Sequence, residues 1–131
     1  MPHDVTPGSA EDWLIRAKGK LGLARQPLPE GCFWEDLAYM AQQAAELAIK
    51  AVYQHFGWRF DFVHNIGHLL GKLEDKGLHI PDEIKAATDL TIYATVMRYP
   101  GMQTRTTKEE HDELLAIADE IVAWAEGIVG L

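Results

Sequence analysis

The stretch from about Phe33 to Phe56 leaves this chain the least freedom. Ala, Leu, Gln, Glu and Lys dominate it, and all are strong helix formers. Leu37, Met40, Ala41, Ala44, Leu47, Ala48, Ala51 and Val52 recur at helical spacing without a break, so the segment reads as a long amphipathic helix. The many small alanines allow a neighbouring helix to come close. Gly57 follows as a natural stop. Whatever fold forms must bury this stripe against other helices.

The remaining chain divides around that helix. Ser9-Ala10-Glu11-Asp12 resembles a capping box with Asp in place of Glu, and it opens a helix predicted to run to about Arg25. Its apolar stripe is Trp13, Ala17, Leu21 and Ala24. Pro27, Pro29 and Gly31 enforce a loop before the long helix. WRFDFV, Trp58 to Val63, alternates in hydropathy but has no second strand to pair with, so it reads as a connector. A shorter helix is predicted from Asn65 to Asp75, with Ile66, Leu69, Leu70 and Leu73 on one face and Gly77 closing it. Ile80-Pro81-Asp82 starts a fourth helix, with Ile84, Ala87, Tyr93, Ala94 and Met97 on its inner side and Pro100-Gly101 at its end. Thr107-Lys108-Glu109-Glu110 is a full capping box before a final helix along Leu114, Ile117, Ala118, Ile121, Val122, Ala125 and Ile128. The predicted class is all-α: four long helices, one shorter helix, and brief loops that favour antiparallel neighbours.

A chain of 131 residues is expected to form one domain, residues 1–131, with residues 1–8 a flexible lead. Cys32 is the single cysteine, which rules out an intrachain disulfide and any CxxC metal motif. The formal net charge of −8 opposes broad attraction to phosphate backbones or anionic membranes. The first ten residues lack the charged and apolar regions of a signal peptide, and no stretch is apolar enough to span a bilayer. The expectation is a cytoplasmic protein.

No phosphate loop, dinucleotide fingerprint or nucleophile elbow is present. The weaker constellations each have a plain structural reading. His64 and His68 share the i, i+4 spacing of zinc hydrolases, but Asn65, Ile66 and Gly67 supply no base between them and no third ligand is evident. No metal or cofactor is therefore expected, and His64 reads as a polar residue at a helix start. Arg98 and Tyr99 fall where the fourth helix ends, where a cation complements the helix dipole. The same forked guanidinium beside an aromatic ring suits a phosphate. Arg105 and His111 span a loop and the first turn of the last helix. An arginine to stabilise charge and a histidine to move a proton are the minimum kit for cleaving RNA. Gln42 and Gln43 sit among alanines about 100° apart, so one of them is a candidate to face a ligand or partner. Trp13, Trp34, Trp58 and Trp124 read as core or interface, since no basic stripe accompanies them.

Three segments together resemble HEPN domains, the higher eukaryote and prokaryote nucleotide-binding helical domains. These are MAQQAAELAIKAVYQHFG (Met40 to Gly57), VHNIGHLLGKLEDKG (Val63 to Gly77) and MRYPG (Met97 to Gly101). The opening AEDWLIRAKGKLGLAR and the closing helix also fit. The resemblance implies a compact up-and-down bundle, commonly a homodimer. Small stand-alone members are often encoded beside a minimal nucleotidyltransferase and act with it as a toxin–antitoxin-type pair. It also implies a nucleotide or RNA ligand, with Gln43, His64, Arg98 and Tyr99 as nucleotide- or partner-binding candidates. Many HEPN toxins are metal-independent endoribonucleases with four to six residues between an arginine and a histidine. No histidine follows Arg98 at that distance; Arg105 and His111 meet the spacing, with Thr106 where Asn is typical. The expectation is a partner module for a nucleotidyltransferase. The alternatives are an endoribonuclease using Arg105 and His111 at a dimer cleft, and a purely scaffolding bundle.

Overall fold

A computed structural model describes residues 4–62, 65–86 and 105–130. Its helices are α1 (Ala10–Ala24), α2 (Trp34–Phe56), α3 (Ile66–Asp75), α4 (described over residues 82–86) and α5 (Lys108–Val129). Among the described residues there is no strand, so the all-α expectation holds. Residues 58–62 are non-helical connector, as the missing second strand demanded. The predicted body and end of the fourth helix lie outside the described residues.

Local chemistry sets the helix ends. Ser9 Oγ accepts from the Asp12 N–H at 3.2 Å, while Asp12 Oδ2 accepts from Gly8 N–H at 2.8 Å. The shorter Asp side chain thus closes the box on the residue before the N-cap. Phe33 N–H donates to Asp36 Oδ2 at 2.9 Å at the start of α2. Thr107 and Glu110 form the reciprocal box at α5, at 3.1 and 3.0 Å. Gly57 ends α2 with φ +70, a left-handed conformation that costs a β-carbon-bearing residue roughly 1–2 kcal/mol.

The core is the seam of α1, α2 and α5, with α3 closing the far end of α2. Lys18 pairs with Glu126 at 2.9 Å and Arg25 with Asp119, so α1 runs antiparallel to α5. Trp34 of α2 lies beside His111 of α5, both near their N-termini, so α2 and α5 run the same way. Leu14, Ala17, Ala24, Ala41, Ala44, Ala48, Ile49 and Ile121 are fully buried. Ala17, Leu21 and Ala24 of the expected α1 stripe are buried; at its start Leu14 is buried instead of Trp13, which is half-buried at the edge and T-stacked on Phe60 at 5.6 Å. α2 is buried on more than one face because α1 and α5 flank it, which adds Ala38, Ala45, Ile49 and Tyr53 to the stripe read from spacing. Tyr53 Oη donates to the Leu69 carbonyl at 2.6 Å and ties α3 to α2. No described helix is long and apolar enough to cross a membrane.

Candidate functional site

Among the described residues two places gather polar chemistry, and the first is where α2 and α5 begin. Three consecutive α2-start residues are each held from the α5 side. The Arg105 guanidinium lies 4.4 Å from the Phe33 ring centroid, a cation–π contact. The His111 ring stacks on Trp34 at 5.4 Å and 29°. Glu35 Oε1 accepts from the Thr106 N–H at 2.9 Å. His111 is only 2% exposed, and its Nε2 lies 2.9 Å from the Ala24 carbonyl. A carbonyl can only accept, so Nε2 carries the proton. Ala24 ends α1, and its carbonyl has no partner within its own helix. His111 therefore caps α1 from across the bundle. Its Nδ1 is buried with no hydrogen-bond partner among the described residues.

Arg105 and His111 thus converge on one end of the bundle, but each engages a different aromatic ring. Among the described residues no hydrogen bond joins them. A general base needs an accessible lone pair, and the imidazole here is sealed between Trp34 and the end of α1.

The second place is a groove of about 480 Å³ between α1 and α2, lined by Arg16, Gly19, Lys20, Leu23, Gln43, Glu46 and Leu47. α1 presents these residues at positions 16, 19, 20 and 23, one helical face; α2 contributes 43, 46 and 47. Arg16 is held by Asp12 through Nε at 3.2 Å. Lys20 makes no ion pair among the described residues. Glu46 pairs with Lys50 at 3.3 Å, and both are buried. The Lys50 ammonium also lies 5.2 Å from the Phe60 ring centroid. Gln43 Oε1 is buried without a hydrogen-bond partner among the described residues, a state that costs about 1–3 kcal/mol. Of the two glutamines, Gln43 is the one at the groove. Sequence reading missed Arg16, Lys20, Leu23, Glu46 and Leu47; the available signal was their spacing on facing helices.

His64, Arg98 and Tyr99 lie outside the described residues. His68 bonds through Nε2 to Asp61 Oδ2 at 2.7 Å, which holds the Asp61 carboxyl below the usual carboxylate range. Among the described residues no group of three His, Cys, Asp or Glu is placed to hold a metal.

The family model for the HEPN domain matches residues 10–128. The chain belongs to the HEPN family. Solved structures agree along almost the whole length. ST0689, described as an archaeal HEPN homologue, is 26% identical with a TM-score of 0.73, covering 92% of this chain and 98% of its own. TT1696 from Thermus thermophilus is 29% identical with a TM-score of 0.75, covering 91% and 97%. An HEPN domain protein from Thermotoga maritima is 26% identical with a TM-score of 0.62, covering 92% and 93%. No curated protein matches this HEPN chain.

Proposed function

We propose that this HEPN protein is the helical partner of a minimal nucleotidyltransferase in a toxin–antitoxin-type pair, acting as a homodimer and binding a nucleotide. The observation that carries this reading is the state of His111. Its imidazole is 2% exposed and caps the α1 carbonyl, while Arg105 spreads over Phe33. The arginine–histidine pair that an endoribonuclease would need is engaged in holding three helices together. The net charge of −8 also disfavours a long RNA as the main ligand. What remains is a module that acts through its surface and its groove.

The test is co-expression with any minimal nucleotidyltransferase found encoded beside it, followed by affinity capture and size-exclusion chromatography. Co-elution of the two chains at a fixed ratio is the expected result. Separate elution of the two purified proteins, with and without nucleotide, overturns the partner reading.

A further inference from the structure

We propose that the α1–α2 groove binds a nucleoside monophosphate whose base carries an exocyclic amino group. Small-ligand pockets commonly enclose roughly 300–1,000 Å³, and this groove of about 480 Å³ is within that range. Its lining is ordered along the helices. The 18–126 and 25–119 ion pairs fix the direction of α1 against α5, and α2 runs parallel to α5. Leu23 of α1 therefore lies toward Gln43, and Arg16 toward Leu47. From Arg16 to Leu23 is about 10 Å along the helix, at 1.5 Å per residue.

A mononucleotide matches that order. The phosphate meets Lys20, which has no ion-pair partner among the described residues, and the terminal nitrogens of Arg16, whose Nε alone is held by Asp12. Glu46 is the one carboxylate among the lining residues and is already paired with Lys50, so the cations set the sign at that end. The base lies against Leu23, at the Gln43 end of the groove. Gly19 leaves the wall open there, since a β-carbon built on it would meet nothing within 4 Å. At the far end, Gln43 Oε1 has no donor among the described residues. A turn of the amide presents it to an amino group on the base, which satisfies it.

This inference rests on the nucleotide-binding part of the proposed function. Its test is calorimetric titration of the full chain with AMP, with purine riboside monophosphate (the same ring without the amino group) and with inorganic phosphate. AMP is expected to bind, and the ring lacking the amino group to bind roughly tenfold more weakly, the worth of one hydrogen bond. Lys20→Glu should weaken AMP at least about tenfold with the circular dichroism spectrum unchanged. Gln43→Leu should erase the difference between the two nucleotides. Absence of AMP binding to the wild-type protein, or AMP binding indifferent to Lys20→Glu, overturns the assignment. Nucleotidyltransferase capture without AMP binding overturns the groove alone. AMP binding without capture supports the groove and overturns the partner reading.

Discussion

His111 carries more structural duty than any other polar side chain described. It ends α1, stacks on Trp34 and is almost wholly enclosed. His111→Ala should therefore lower unfolding stability by about 2–3 kcal/mol, through the lost stack, the cavity and the uncapped carbonyl. Urea denaturation measures this; a loss below about 0.5 kcal/mol would mean the ring is not packed as described. Tyr53 gives a second test. Burial, followed by the charges of Asp61 and Asp75, pushes its phenol up to about 12 from 10.0. The folded state thus favours the neutral phenol. That contribution is complete below pH 10 and disappears as pH rises toward 12, because the unfolded chain ionises first. The wild type should lose about 2 kcal/mol more than Tyr53→Phe across that window, read from paired denaturation curves. Equal losses would show that the phenol is not desolvated.

At the scale of elements, the caps were legible because they are local. Ser9, Thr107, Glu110 and Gly57 each act within four residues, and sequence spacing carries that information. Replacing Thr107 by Ala should cost about 1 kcal/mol by thermal denaturation, and a change near zero would contradict the box at α5. Stripes were legible only in part. Trp13 fits helical spacing as well as Leu14 does, and the choice is made by Phe60, which reaches Trp13 from beyond α2. Likewise, the spacing of α2 shows one apolar face, whereas the second is created by packing against both α1 and α5. Gln43 stood out as a polar residue among alanines. Arg16 and Lys20 did not, because a basic residue on a helix surface looks the same whether it faces water or a groove.

At the scale of the molecule, close approach of three helices through alanine organises the fold. Ala44 and Ala48 have no exposed surface, so the interior has no room for a larger side chain. Ala48→Leu should destabilise the bundle by about 1–3 kcal/mol through overpacking, with loss of cooperativity in the unfolding transition as a further sign. An unchanged transition would contradict the tight α1–α2–α5 seam. That seam also fixes the α1–α2 groove, and it places His111 where structure claims its imidazole. The arginine–histidine spacing was visible in the sequence, but its burial was not, since the Ala24 carbonyl and Trp34 come from distant segments. The most direct measurement is cleavage of a mixed RNA pool by the purified protein in the presence of a metal chelator, beside His111→Asn. The account predicts no cleavage by either protein. Cleavage by the wild type that disappears in the variant would contradict it and return His111 to the reaction.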